Sequence, residues 1–459
     1  MITRTHLAPD VVEGRCTRSA RFSVAFGRRS YLLAACGLVL IGPAFLNPRI
    51  LWGMLAWNTI VLLVWGVDLF FLPRPNLLTV RREFSGILSM EHPVAMKLSV
   101  IGKSRIPLRM TVTADLPGSF ANAPIEKQFV FHSKAENALS FDLKPKTRGD
   151  TEPGNIFLRY QSALALAERW AKAVLPQTVR IFPGEGNRGE QSLNLMRSRR
   201  LDVVKRLSRR KGFGREFENL REYREGDSLR DICWTATARR SRLTVREYRI
   251  ERSQPIWLVI DCGRLMQTMV GEHTKLDFAV SAALNLAQVA MFGGDRVGLL
   301  AYGRGRPHMI GLGRGDEHLH NIMNQLAMVK SETGEADHYQ AAGALLARQS
   351  RRSLIVWITD LPDSAVTPEV VEGTSALLAR HLMVFCAIAD RQLNATAAAN
   401  PKTDEELFLS AAAIDIVNRR ERMVGSLRGR GAYTLEVTSE RLSNAIVREY
   451  LAIKERELI

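Results

Sequence analysis

Two aspartates close apolar runs in the second half of the chain. Ile256-Trp-Leu-Val-Ile is followed by Asp261, and Leu354-Ile-Val-Trp-Ile-Thr by Asp360. Carboxylates at the carboxyl ends of buried parallel strands face the crevice in which open α/β sheets hold ligands. The chemistry open to such a pair is cation binding, since Mg²⁺ takes a near-octahedral set of oxygens. Their neighbours argue against it. Cys262-Gly263-Arg264-Leu265 after Asp261 offers no side-chain oxygen, and Arg264 could neutralise the pair instead. Thr333, Glu335 and Asp337 are the nearest replacement donors. Other enzyme signatures are absent: no phosphate-binding Gly-x-x-x-x-Gly-Lys-Ser/Thr loop and no Gly-x-Ser-x-Gly elbow. His273, His318 and His320 lack partners at metal-ligand spacing. No catalytic residue is expected.

The elements that must position the two aspartates alternate. Strands are expected at Ile256–Ile260, Arg296–Ala301, Leu354–Thr359, Met383–Ala389 and Tyr433–Val437, with a short edge strand at Met309–Leu312. Helical periods fill Lys275–Met291, Glu317–Val329, Tyr339–Gln349, Pro368–Arg380, Asp404–Met423 and Glu440–Arg456. Such alternation means a doubly wound, Rossmann-type parallel sheet over residues 254–459.

Just upstream, charges of both signs alternate with large apolar anchors. The segment holds Gly214, Glu216, Phe217, Leu220, Arg221, Tyr223, Gly226, Asp227, Arg230, Ile232, Trp234, Ala238 and Arg239. Pinned anchors with paired guanidiniums and carboxylates suit a segment laid across a surface, so these residues are read as structural or interaction positions. The segment resembles the signature of a bacterial family called domain of unknown function 58 (DUF58). The resemblance runs from about Leu33 to the C-terminus. It implies two membrane helices, a small β domain and a von Willebrand factor A-like domain, with frequent linkage to MoxR-type AAA+ ATPases. A von Willebrand factor A domain binds its cation through Asp-x-Ser-x-Ser, a later Thr and a further Asp. Here Gly263, Leu265 and Ala336 stand where the hydroxyls belong, leaving Asp261 and Asp360 as degenerate metal-site positions. No cofactor is expected, Mg²⁺ being the one candidate.

Toward the N-terminus, residues 1–29 are basic and read as a mobile cytoplasmic arm. Two apolar runs follow within 30–73, at about 31–47 and 50–72, where a bilayer needs ~20 residues per span. Arg28, Arg29, Arg74, Arg81 and Arg82 flank the pair and only Arg49 lies in its turn, which places both termini in the cytoplasm. Short alternating segments over 75–183 read as an antiparallel β-sandwich, and 184–253 as a basic linker with the signature. Five scattered cysteines exclude a disulfide framework. Of the net charge of +17, the stretch Arg197–Arg252 carries 18 Lys/Arg against 9 Asp/Glu. No nucleic-acid motif accompanies it, so a protein partner is preferred to nucleic acid.

The expectation is therefore a multi-pass protein of the bacterial inner membrane, not an enzyme, serving as an adapter in the assembly or maturation of other proteins. An AAA+ ATPase is the partner the resemblance implies. Two alternatives remain open: metal-dependent catalysis or cation-dependent binding at Asp261 and Asp360, and nucleic-acid or anionic-lipid binding through Arg197–Arg252.

Overall fold

Alternation of buried and exposed side chains builds the first of two compact units, Met1–Gly184; the second is Glu185–Ile459. The computed structural model describes residues 10–19, 23–39, 49–121, 124–133, 137–184, 216–224, 227, 229–249, 253–360, 368–456 and 458.

The first unit opens with β1 (Val12–Arg18) and β2 (Val24–Phe26), then α1 (Arg28–Leu38) and α2 (Arg49–Phe71). The strands β3 (Leu78–Phe84), β4 (Leu88–Ser89), β5 (Val94–Gly102), β6 (Leu108–Ala114), β7 (Ile125–Phe131) and β8 (Asn137–Leu143) follow. The unit ends with β9 (Gly149–Thr151), β10 (Ile156–Gln161), β11 (Ala167–Ala173) and β12 (Val179–Phe182). Nine strands form one sheet in the order β7-β6-β10-β11-β1-β3-β5-β8, with β2 beside β11. All its pairings are antiparallel. The expected sandwich is corrected here. The main sheet curls nearly into a barrel, and its edge strands β7 and β8 approach so that Lys127 donates to the carbonyl of Ser140. A small sheet, β4-β12-β9, forms a separate ladder and shares the core through Leu88, Val179 and Ile181.

The basic N-terminal arm is corrected too. Residues 12–18 are a strand between β3 and β11, with Cys16 opposite Ala173 and only 1% exposed. Glu13, Arg15 and Thr17 alternate outward while Val12, Gly14 and Cys16 share the inward face, a period-2 pattern that a count of charges conceals. Among the described residues, one helix is long and apolar enough to cross a membrane, within Ile50–Leu77. The first apolar run gives only the shorter α1; the rest of that expected span, residues 40–48, lies outside the described residues. α1 packs on α2, with Trp57 Nε1 donating to Leu33 O at 2.9 Å. A Cβ on Gly37 would come within 2.5 Å of Trp57, so the close approach requires the glycine.

The second unit begins with a hairpin of β13 (Glu216–Glu222) and β14 (Thr244–Arg249), enclosing α3 (Trp234–Arg240). The chain continues through β15 (Pro255–Asp261), β16 (Met269–Val270), β17 (His273–Thr274), α4 (Lys275–Phe292), β18 (Arg296–Tyr302) and β19 (His308–Gly313). Next come α5 (Asp316–Met328), α6 (His338–Arg348), β20 (Leu354–Thr359), α7 (Pro368–Leu378) and β21 (Leu382–Ala389). It closes with α8 (Arg391–Ala397), α9 (Asp404–Gly429), β22 (Tyr433–Thr438) and α10 (Ser439–Glu455). The main sheet runs β19-β18-β15-β20-β21-β22, parallel except for the edge strand β19. This is the doubly wound order. The chain leaves β15 first toward β18 and later returns to its other side at β20, so the switch point lies between β15 and β20. Buried Trp257 and Trp357 pack in the core beside it.

Candidate functional site

Asp261 ends β15 and Asp360 follows β20, so the two carboxylates flank the switch point as their sequence context predicts. Both are buried, at 3% and 5% exposure. They differ in how they are satisfied. Asp261 meets only neutral donors: Thr359 Oγ1 at 2.5 Å on Oδ2 and the Gly263 N–H at 2.7 Å on Oδ1. Burial, the leading cause, pushes its carboxyl up to about 6; the two hydrogen bonds oppose this and the charge of Asp360 adds to it.

Asp360 meets two buried cations. Lys275 Nζ lies 2.8 Å from Oδ2, and Arg420 Nη2 lies 3.1 Å from Oδ1. Lys275 is the first residue of α4, inside the capping box formed by Thr274 and Asp277, and it also reaches Asp390 Oδ2 at 3.2 Å. Arg420 comes from α9, donates to the carbonyl of Ile388, and lies 3.4 Å from Glu436 without hydrogen-bond geometry at Nε. One carboxylate thus fastens α4 and α9 to the end of β20. Breaking such a buried pair by removing one partner is strongly destabilising, because the other charge stays behind.

Among the described residues the donor set does not fit a divalent cation. Both oxygens of Asp360 are occupied by cations, and those of Asp261 by hydrogen bonds. Two of the three replacement donors are engaged elsewhere. Asp337 caps α6 through Gln340 N at 2.8 Å, and Glu335 faces Arg264 at 3.9 Å on the surface. Among the described residues no group of three His, Cys, Asp or Glu could hold a metal. Gly263 and Ala336 do sit against Asp261, where the missing hydroxyls were expected. A Cβ on Gly263 would come within 2.9 Å of Ala336 N and 3.1 Å of Asp261 Oδ1, so a serine there has no room. The expected role of Arg264 is corrected: it is 58% exposed and paired outward, and Lys275 and Arg420 neutralise Asp360 instead. Sequence reasoning missed both. The one signal was a lysine in the first turn of an apolar helix, where the dipole disfavours a cation unless an acid meets it.

The signature residues divide. Arg221 grips Asp227 with two bonds, of 2.6 and 2.7 Å, and the Arg224 N–H adds a third at 2.8 Å. These hold the Asp227 carboxyl down to about 2, the Arg221 bond being the largest cause. Leu220 and Tyr223 are half-buried, while Ile232, Cys233 and Val245 are buried. Trp234, expected as a buried anchor, is 66% exposed at the start of α3, and Ala238 and Arg239 are exposed beside it. This corrects the anchor reading: the short helix rests on its other face. Glu216 and Phe217 fall in β13, and Arg230 in the turn before α3. Gly214, Gly226 and residues 197–215 of the basic stretch lie outside the described residues.

Several known proteins are similar to this chain. Uncharacterized proteins of Mycobacterium bovis and Mycobacterium tuberculosis are 28% identical over 183 residues, 39% of this chain and 56% of theirs. The chain therefore spans about half the length of these relatives. Among solved structures, BatB, a conserved hypothetical protein from Bacteroides thetaiotaomicron, is 13% identical with a TM-score of 0.29, covering 44% of this chain and 100% of that one. A von Willebrand factor type A protein from Catenulispora acidiphila is 14% identical with a TM-score of 0.24, covering 40% and 44%. At those scores neither likeness carries weight, and the fold rests on the strand order above. Residues 219–406, from β13 into the first turn of α9, match the family described as protein of unknown function DUF58. The matched residues, about two fifths of the chain, include Asp261, Lys275, Thr359 and Asp360, so the crevice lies within the region similar to that family.

Proposed function

We propose that this protein is a membrane-anchored, cytoplasm-facing adapter whose α/β domain binds partner proteins and has no metal-dependent reaction of its own. The observation that carries this reading is the saturation of Asp360 by Lys275 and Arg420, a tethered cation pair standing where a divalent ion would be needed. Asp261, in turn, is satisfied by neutral donors, and among the described residues no group of three metal-ligating side chains gathers in the crevice. Titration of Mg²⁺ and Mn²⁺ into the detergent-solubilised full chain tests this. Micromolar binding that disappears in Asp261→Ala would overturn it and revive the metal-dependent alternative.

The anchor reading rests on sheet topology as well as hydropathy. β1 precedes α1, yet it pairs with β3 and β11, which follow α2. The two flanks of the apolar pair therefore lie on the same side of any membrane, which supports an even number of crossings. Arg28, Arg29 and Arg74 on those flanks favour the cytoplasmic side of a bacterial inner membrane. Arg82 does not count toward this, since it is fully buried in the β domain and donates to Gly154 O, Leu175 O and Gln177. Reporter fusions at the two termini should both read cytoplasmic, and one periplasmic terminus would refute the orientation.

Within this reading the protein assists assembly or maturation of other proteins together with a MoxR-type AAA+ ATPase. Support for that partnership is the family resemblance of the signature segment. Crosslinking in native membranes followed by mass spectrometry is the decisive experiment. An AAA+ ATPase absent from the crosslinked species would remove the partner from the proposal.

A further inference from the structure

The end of the β domain that receives α2 combines exposed apolar residues with unpaired arginines. The last turns of α2 are docked rather than free. Trp65 and Leu69 pack against the domain core, and buried Asp68 accepts the N–H groups of Leu166 at 3.1 Å and Ala167 at 2.9 Å. The helix from Arg49 to Val64 then covers only about 24 Å at ~1.5 Å per residue. A hydrocarbon core is ~30 Å thick. A bilayer spanned by α2 must therefore reach the rim of the β domain. Phe26, Leu164, Phe70 and Trp170 are exposed there, at 42%, 55%, 78% and 45%. Aromatic and apolar residues of this kind suit the headgroup boundary.

At this rim stand Arg18, Arg74 and Arg169. Arg169 shares the inward face of β11 with Ala167 and Ala171, and its Nη2 donates to Leu69 O at 3.1 Å, capping α2. Its Nε is buried without an acceptor. Arg18 ends β1 opposite Ala171, two residues along β11 from Arg169. Arg74 directly follows Pro73, whose carbonyl accepts from Tyr160 Oη at 2.8 Å, and Tyr160 is the register partner of Arg169. Among the described residues no carboxylate pairs with any of the three. Burial, then the charges of Arg74 and Arg18, hold the Arg169 guanidinium below its usual range, with Tyr160 opposing.

We propose that Arg18, Arg74 and Arg169 form a binding site for a phosphate group, filled by the headgroup of an anionic glycerophospholipid. Three guanidiniums at one rim repel one another, and a phosphate both relieves that repulsion and accepts their paired N–H groups. The buried Nε of Arg169 supplies a donor that currently lacks an acceptor. The inference rests on the anchor reading above.

The test uses the full chain reconstituted in vesicles of phosphatidylcholine alone or mixed with phosphatidylglycerol, with retained lipid read by native mass spectrometry. The chain should retain phosphatidylglycerol over phosphatidylcholine. Arg18→Gln with Arg74→Gln should cut that enrichment about tenfold, as expected for lost charge-assisted bonds. Both side chains are exposed and Arg169 keeps its cap on α2, so the variant should float with vesicles as the parent does. An unchanged lipid profile in the variant, or no preference in the parent, overturns the site. Inorganic phosphate displacing the lipid at equal phosphate concentration would overturn the lipid source. Failure of the parent to float at all would instead overturn the anchor.

Discussion

Asp261→Asn should stabilise the α/β domain at neutral pH and leave it unchanged in acid. The native carboxyl titrates at about 6 because it is buried among neutral donors, against an ordinary value of 3.8. Below the ordinary value both folded and unfolded chains hold the proton, so nothing is gained or lost. Between about 4 and 6 the folded chain keeps a proton that the unfolded chain releases, so stability falls as pH rises. Above about 6 the full penalty is present. Roughly 2 pH units at 1.36 kcal/mol each make it about 3 kcal/mol. Asparagine removes the charge and fits the site. Its oxygen accepts from Gly263 N, and its amide donates to Thr359 Oγ1, whose hydroxyl turns to Asp360 O, now 3.3 Å away. For a domain of this size a change of about 3 kcal/mol raises the midpoint by roughly 6–12 °C. The assay is thermal unfolding of parent and variant from pH 5 to pH 8. A parent profile flat across that range, or a variant equally destabilised at every pH, would falsify the picture of a high-pKa aspartate.

Lys275→Met should cost about 3–5 kcal/mol by leaving Asp360 with one cation fewer, and adding Asp360→Asn should recover part of the loss; denaturant unfolding of both reads this. Trp234→Ala should change stability by less than about 0.5 kcal/mol, since the ring is exposed, whereas Arg221→Ala should speed hydrogen exchange across residues 216–249. A large stability loss in the tryptophan variant would show that the ring is covered. Gly263→Ser with Ala336→Thr should create no Mg²⁺ affinity and should lower the melting temperature, because the new Cβ meets Ala336 N; calorimetry with and without Mg²⁺ decides it. Partner capture from native membranes should be insensitive to EDTA, and its loss on chelation would show that a metal takes part.

The α/β sheet was legible because its strands are buried on both faces. Contiguous apolar runs such as Ile256–Ile260 need no partner to be recognised, and all six strands fall within two residues of their expected bounds. The β domain was harder. β1 hides its inward face between Glu13, Arg15 and Thr17, and β11 reads Ala-Glu-Arg-Trp-Ala-Lys-Ala, a composition that favours helix until neighbouring strands override it. Curling of the sheet depends on pairings between residues far apart in the chain. At the site, Asp261 and Asp360 follow from position alone. Lys275 and Arg420 do not, because one opens α4 and the other sits among the arginines of α9, and only the fold brings them to Asp360. Exposure of Trp234 was equally hidden, since a tryptophan among charges reads the same whether its ring faces in or out.

The two carboxylates of the crevice are handled by opposite means, and the difference bears on what the domain can do. A metal ion would be shared between them, held by oxygens from several loops and free to exchange. Here Asp360 is bound to an ammonium and a guanidinium that belong to the chain, while Asp261 is satisfied by an alcohol and an amide. Among the described residues, the carboxylate whose charge is shifted toward neutral pH is Asp261. The same Lys275–Asp360–Arg420 link joins two helices to the strand end, which makes the site part of the domain's framework.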